Sequence, residues 1–199
     1  MIAEQFPMGY EKGPDLEKNR KTETIEGRKD RIMACLLEEQ VREELGKGLK
    51  KQTVLARLAT PENRDNLIYI LNNLPQESRR LQGRWLNFLL VALVLTVTVQ
   101  KLYLIAVLLL AAAKLNQFSP LLLLDLIVPA INFYVMRELL RFHRQGYQFM
   151  AVLGVLALLR SENRIFPDLY LYLAIIALSI FLLWKMFPAS DKLRPSESK

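Results

Sequence analysis

The sequence has few of the residues on which ordinary catalytic and metal sites depend. It contains one cysteine, Cys35, and one histidine, His143. A single cysteine excludes an internal disulfide, and a lone histidine with no cysteine beside it does not favour a zinc site. No glycine-rich phosphate loop, zinc signature or nucleophile–histidine arrangement is present. We therefore predict a protein that is not an enzyme and that uses no cofactor or metal.

A net charge of +7 suggests nucleic acid as a partner, but the distribution of the charge argues against it. The first 84 residues carry 16 basic and 14 acidic residues, so the excess lies beside the apolar runs that follow. Basic residues in such places face lipid headgroups. A helix–glycine–helix pattern at 44–59 leaves a membrane-anchored transcription regulator as a remote hypothesis. The helix before it is acidic, so we expect no nucleic acid partner.

Long apolar runs separated by short polar clusters dominate the sequence after Arg84, which indicates several membrane-spanning helices. Ser119-Pro120 favours a helix start, and Gly146 indicates a break in the chain. We predict an all-α, polytopic membrane protein with the bilayer as its first partner. Its four spans are placed within a bundle at 76–188, over residues 85–113, 120–140, 146–160 and 168–187.

The first of these spans has two interpretations. As one helix, its 29 residues rise about 43 Å, against a hydrocarbon core of about 30 Å. Gln100 and Lys101 lie near its middle, so a hairpin that turns there is the alternative. The two arms of such a hairpin would be too short to span without thinning the bilayer. We favour the single helix.

Before the apolar runs, residues 27–75 alternate apolar and polar side chains at helical spacing. We predict three short amphipathic helices in the cytoplasm, with Gly46 and Gly48 ending the first and Thr60-Pro61 starting the third. Such a segment is a candidate surface for a protein partner. The two ends of the chain, 1–26 and 189–199, are predicted to be disordered tails.

The positive-inside rule gives an orientation for four spans. One side then holds most of the basic residues near the spans, and the other holds only Lys114, Arg160 and Arg164. We therefore predict a multi-pass protein with both termini in the cytoplasm. The basic residues on the cytoplasmic side are Arg79, Arg80, Arg84, Arg137, Arg141, Arg144, Lys192 and Arg194.

Asp125 is the first candidate for an intramembrane polar site, because carboxylates within spans are costly and usually functional. Pro129 and Asn132 share its helix face, and a proline there would kink the span. Asn132 has a plain structural alternative as a hydrogen-bonding residue between helices. Lys101 is the third candidate, although the register of neighbouring spans argues against a direct pair with Asp125.

Two further patterns concern contacts with lipid and with other helices. Arg137, Arg141 and Arg144 follow i, i+4, i+7 spacing at a helix end, so they are candidates for headgroup contacts. A ridge of small residues at Ala151, Gly154 and Ala157 favours close helix packing. That packing lies either within one bundle or between copies, so a homo-oligomer is a second hypothesis about partners.

The sequence supports three hypotheses about function. The leading one is a non-enzymatic interaction, scaffold or regulatory protein of the membrane that acts through residues 27–75. The alternative is a small channel or transporter subunit that uses Asp125. The third is the membrane-anchored transcription regulator. No motif selects between them.

Overall fold

The structure of the protein is a computed structural model and describes residues 32–115 and 124–194. The chain divides into two units, residues 1–40 and 41–199. In the first unit the described residues are helical. The predicted tail at 1–26, the Ser119-Pro120 helix start and the last five residues lie outside the described residues.

Within the described residues all regular structure is helical, as the sequence predicts. The second unit begins with residues 41–46, which we call α1. The other α-helices are α2 (Lys51–Leu58), α3 (Arg64–Asn73), α4 (Glu77–Lys114), α5 (Ile127–Leu140), α6 (Arg144–Leu159) and α7 (Asp168–Met186). Single turns of 3-10 helix lie at 124–126, Ser161–Arg164 and Ala189–Asp191.

Helices α4 to α7 form a four-helix bundle in which α4 and α6 each pack against both α5 and α7. The apolar side chains that meet inside the bundle come from all four helices. On α4 the buried positions recur every three or four residues, so a single stripe of that helix faces the core. The largest of the fully buried core residues are Leu90, Leu139, Tyr147, Ile175, Leu182 and Met186.

Helix α4 is continuous for 38 residues and contains Gln100 and Lys101 within it, so the structure has the single helix rather than the hairpin. Helices α4 and α7 are the two in the described residues that are long and apolar enough to cross a membrane. Helices α5 and α6 have 14 and 16 residues. Two helices of that kind are weak evidence for a membrane location, because the core helix of a soluble protein can have the same length and composition.

Helices α1 to α3 bury an apolar face, with Val41, Val54 and Leu71 fully inside. Helix α3 packs against α6, and Asn73 Oδ1 accepts a hydrogen bond from the Gln145 N–H at 3.1 Å. Helices α1 to α3 therefore lie against one end of the bundle, where α4 and α6 begin and α5 and α7 end.

The ends of these short helices follow ordinary capping chemistry. Gly48 has a φ of +81°, a left-handed conformation that ends α1, whereas Gly46 is still helical. Thr60 and Asn63 bond reciprocally ahead of α3, since the Thr60 N–H donates to Asn63 Oδ1 at 2.7 Å and the Asn63 N–H donates to Thr60 Oγ1 at 3.3 Å. This is the geometry of a capping box. Thr60 therefore caps the turn at 61–63 that leads into α3, and the helix itself starts three residues after Pro61.

The chain after α7 differs from the predicted disordered tail in its described residues, 189–194. Leu193 is buried, and its backbone N–H and C=O both bond to the Asn72 side chain, at 2.9 and 3.0 Å. Asp191 pairs with Arg79 at 3.2 Å. The prediction from composition was wrong here because one asparagine on α3 supplies both hydrogen bonds that an extended segment needs.

A three-residue corner, 141–143, joins α5 to α6, so the predicted break at Gly146 is wrong. Gly146 lies inside α6, and a Cβ on it would come within 3.0 Å of the Glu138 carbonyl carbon and the Leu139 nitrogen. The glycine is required by this close approach of two backbones, not by a turn. Phe142 takes the left-handed conformation instead, with a φ of 60°.

We expect Gly146→Ala to lower the free energy of unfolding by about 1–3 kcal/mol, because backbone atoms cannot move aside as a flexible side chain could. Thermal unfolding of the purified full-length protein measures this. Gly46→Ala is the matched control, since a Cβ there has nothing within 4 Å, and it should leave stability unchanged or raise it. Equal stability of Gly146→Ala and the wild type would contradict the close packing of α5 and α6.

Candidate functional site: a cavity in the bundle

A cavity of about 350 Å³ lies between the four bundle helices, near the end where α4 and α6 finish and α5 and α7 start. Its walls are mainly apolar, with Val97, Ile105, Met150 and Ile175 among the lining residues. The volume falls in the range of roughly 300–1,000 Å³ that is usual for small-molecule sites. The cavity could therefore hold a small molecule with an apolar body.

Six residues with charged or amide side chains also line this cavity, which gives it an amphiphilic character. All three candidates for the intramembrane polar site are among them, although the sequence gives no direct reason for the three to meet. The remaining three belong to the connection between α6 and α7. The six are Lys101, Asp125, Asn132, Arg160, Glu162 and Asn163.

Lys101 reaches across the cavity to the connection between α6 and α7. Its Nζ donates a hydrogen bond to Asn163 Oδ1 at 2.7 Å and lies 3.9 Å from Glu162 Oε1. Glu162 is also held by Arg160, at 3.0 Å. Among the described residues Lys101 thus finds its polar partners in this connection and not in Asp125, in agreement with the register argument.

Asn163 was missed by the sequence analysis, although it is 2% exposed and central to this wall. Its Nδ2 donates to the Ala157 carbonyl at 2.7 Å, and Arg164 Nε donates to the Leu158 carbonyl at 2.7 Å. These two side chains bond to carbonyls in the last turn of α6, where the Ala157 carbonyl also accepts the Arg160 N–H at 3.3 Å. A cluster of Asn and Arg directly after an apolar run was the available signal for such a cap.

Asp125 lies half-buried in the 3-10 turn before α5, so it precedes the helix in which it was expected. Pro129 is the third residue of α5. A proline in the first turn removes an N–H that has no helical acceptor, so the expected kink is absent. No cation among the described residues lies within ion-pair distance of Asp125.

Asn132 joins α5 to α4 inside the bundle. It is 8% exposed, and its Nδ2 donates to Thr98 Oγ1 at 3.1 Å. The Thr98 hydroxyl in turn donates to the Val94 carbonyl at 2.7 Å. This is the hydrogen bond between helices that the structural alternative for Asn132 describes, and it places an amide at the cavity wall.

A second polar group between helices lies nearer the opposite end of the bundle and was also missed. Tyr147 donates to Asn87 Oδ1 at 2.7 Å, and Asn87 Nδ2 donates to the Leu139 carbonyl at 3.0 Å. All three residues are fully buried. The network connects α4, α5 and α6, and every side-chain polar atom in it has a partner, as a buried network requires.

The three arginines proposed for headgroup contacts do not form one helical stripe. Arg137 is on α5, Arg141 follows the end of that helix, and Arg144 is the first residue of α6. Arg137 and Arg141 are exposed, whereas Arg144 is half-buried. The i, i+4, i+7 spacing therefore did not predict a shared face, because the chain turns between the second and third arginine.

Within the described residues no group of three or more His, Cys, Asp or Glu side chains is placed to hold a metal ion. His143 instead bonds through Nδ1 to Glu138 Oε2 at 2.6 Å and contacts Arg42 through Nε2 at 3.4 Å. Comparisons of the chain with protein-family models, with curated proteins and with solved structures gave no match.

Proposed function

We propose that this chain is a non-enzymatic, multi-pass membrane protein whose bundle binds a small organic cation with an apolar body. One observation carries the ligand class. Asp125 lines an apolar cavity and has no cation partner among the described residues, while Glu162 in the same wall is paired with Arg160. A carboxylate in apolar surroundings is costly unless a positive charge accompanies it.

The membrane setting is supported by the outward faces of all four bundle helices, which are apolar. Helices α5 and α6 expose large apolar side chains as α4 and α7 do, and such continuous exposure is the usual sign of contact with lipid or a partner. Their lengths correspond to about 21 and 24 Å, so they cross the hydrocarbon only with flanking residues or a thinned bilayer. The side chains concerned include Ile131, Phe133, Phe149, Val152, Val155 and Leu156.

The proposed topology has four spans with both termini in the cytoplasm. The end of the bundle that carries α1 to α3 then faces the cytoplasm, together with Arg79, Arg137, Arg141 and Arg144. The cavity lies toward the other face, beside Arg160. The basic residues are thus concentrated on the inner side, as the positive-inside rule requires.

Cysteine accessibility tests this topology, because the chain has a single native cysteine to remove. In a Cys35→Ser background, single cysteines at the exposed residues Ser78, Arg141, Ser161 and Ser190 are treated with a membrane-impermeant maleimide. We expect labelling of intact cells only at position 161. Labelling at both 141 and 161 would indicate two spans, α4 and α7, and would refute the four-span proposal.

The charge of the cavity wall supports a cationic ligand at Asp125. Lys101, Arg160 and Glu162 lie together at the connection between α6 and α7, where both cations approach the same carboxylate. Asp125 comes from the turn before α5 and lies outside that cluster. A ligand ammonium at Asp125 would supply the ion pair that this carboxylate lacks among the described residues, and its apolar body would lie along Val97, Ile105 and Ile175.

Isothermal titration of the full-length protein in lipid nanodiscs tests the binding, with hexyltrimethylammonium as the probe. We expect Asp125→Asn to weaken binding about tenfold or more, since a charge-assisted contact contributes roughly 1.5–3 kcal/mol. Asp168→Asn is the matched control, because that half-buried carboxylate at the start of α7 does not line the cavity. It should bind as the wild type does.

Hexanesulfonate and hexanol, which share the tail but not the charge, distinguish recognition of the cation from partition into lipid. Equal binding of the three compounds, or an unchanged affinity of Asp125→Asn, would refute the proposal. Uptake of the same probe into proteoliposomes then tests transport. Loss of uptake with Asp125→Asn would support the transporter hypothesis, and absence of uptake by the wild type would leave a binding protein.

Partner binding through residues 27–75 stays a prediction. The apolar core of this segment, including Val41, Leu45, Leu67 and Leu71, is already buried, whereas Ile32, Met33, Leu36 and Tyr69 are exposed. A partner would therefore use the outer face of this segment, where these apolar side chains are accessible together with charged ones. Purification of the full chain from its native membrane in mild detergent tests this. We expect a second protein to co-purify in stoichiometric amount, and to be lost when the exposed charges Glu43 and Arg57 are reversed. Isolation of the chain alone would contradict it.

A further inference from the structure

A cluster of charged side chains lies at the bundle end away from the cavity, where four elements of the chain meet. Lys51 comes from α2, Arg79 from α4, Arg144 from α6 and Asp191 from the 3-10 turn after α7. The charges of the other three all act on Lys51. We call these four residues the basal cluster.

Lys51 is the most deeply buried member of the basal cluster. It is 8% exposed, and Nζ lies 6.0 Å from the centre of the Phe187 ring. No carboxylate of the described residues is within ion-pair distance of Nζ. Burial lowers the pKa of Lys51 to about 8, and the positive charges of Arg144 and Arg79 act in the same direction, against Asp191. The ammonium therefore lies near one carboxylate, Asp191, but is not paired with it.

Arg144 also has a polar atom without a partner. Its Nε is buried and has no hydrogen-bond partner, although a buried guanidinium N–H normally finds an acceptor. Arg144 is also the first residue of α6, where the free backbone N–H groups of a helix add positive potential.

The basal cluster carries three cations and one carboxylate. Asp191 pairs with Arg79 at 3.2 Å, and neither Lys51 nor Arg144 has a carboxylate of the described residues within ion-pair distance. Like charges that are buried or half-buried without an anion paired to them destabilise a fold. Arg137 and Arg141 are no part of this arrangement, since both are exposed on the outer side of the corner.

We infer that the basal cluster is a binding site for a phosphate group, held between the Lys51 ammonium and the Arg144 guanidinium. Phosphate carries the charge and the several acceptor oxygens that a lysine and an arginine together require. The group is either free phosphate or the headgroup of an anionic phospholipid. In the proposed topology the cluster lies on the cytoplasmic side, where anionic headgroups are available.

Thermal unfolding of the full-length, delipidated protein in a nonionic detergent tests this, because a ligand that binds the folded state raises the midpoint. The probes are sodium phosphate and dioctanoyl phosphatidylglycerol, with dioctanoylglycerol as the uncharged lipid and ionic strength held constant. We expect Lys51→Met and Arg144→Gln each to weaken phosphate-group binding about tenfold or more. Lys50→Met removes an exposed charge one residue away and should bind as the wild type does.

The two probes separate the sources of the phosphate. Stabilisation by both supports a site for phosphate itself, and stabilisation by the phospholipid alone supports a headgroup site. Stabilisation by neither, or an equal loss in Lys50→Met and Lys51→Met, would overturn the inference. Lys51→Met is expected to fold, because it replaces a buried charge by an apolar side chain of similar length.

The pH dependence of stability gives a second readout that needs no ligand series. The pKa of Lys51 is lowered in the folded protein from 10.5 to about 8, so between these values the unfolded chain binds more protons. Stability therefore rises with pH across this window, and the rise should be absent in Lys51→Met. Bound phosphate favours the charged form of Lys51, so in its presence the increase in stability should begin at a higher pH. If phosphate does not change the pH at which stability begins to increase, the proposed site is contradicted.

Discussion

The packing of α6 against α5 at the corner 141–143 determines where the other parts of this protein lie. Gly146 has no Cβ, so the backbones of α5 and α6 can lie close together; a Cβ there would be 3.0 Å from the Glu138 carbonyl carbon. The His143 N–H closes the corner by donating to the Glu138 carbonyl at 3.0 Å, and the two side chains of the same residues bond as well. Because the corner is closed in this way, Phe142 accepts a left-handed conformation that costs a residue with a side chain about 1–2 kcal/mol.

Three separate groups of contacts depend on that corner. Arg42 reaches from α1 to the Arg141 carbonyl at 3.4 Å, and Gln145 donates to Asn73 on α3, so the short helices are attached there. Tyr147 follows one residue after the glycine and completes the buried network with Asn87. Arg144, two residues before the glycine, belongs to the basal cluster. A looser corner would change all three, which is why Gly146, two residues after Arg144, matters to the basal cluster although it is not part of it.

The sequence predicted those features that depend on local pattern. The continuity of α4 through Gln100 and Lys101 followed from the cost of a hairpin with short arms, and the end of α1 followed from the freedom of Gly48. What it missed depends on residues distant in the chain. Gly146 indicates a break because the sequence does not show which backbone lies beside it. Composition predicts a disordered tail at Leu193 because its partner, Asn72, lies 121 residues away. The candidate polar residues line one cavity because α4 and α5 pack side by side in the bundle. The spacing of residues in the sequence does not predict that packing.

Helix α6 contributes residues to both proposed sites. Its two glycines determine whether a structural change at one site could affect the other site. Its first residue belongs to the basal cluster, and its last turn, with Ala157, lies at the cavity wall. Gly146 fixes the first turn against α5, while at Gly154 a Cβ would lie 2.6 Å from Ile176 of α7, so the middle of the helix is held against a second neighbour. A helix held at two points on different neighbours cannot tilt without breaking close packing, and packed interiors do not deform continuously. Any coupling between the ends therefore has to pass through a movement of α5, α6 and α7 together, so the two sites are best regarded as energetically separate.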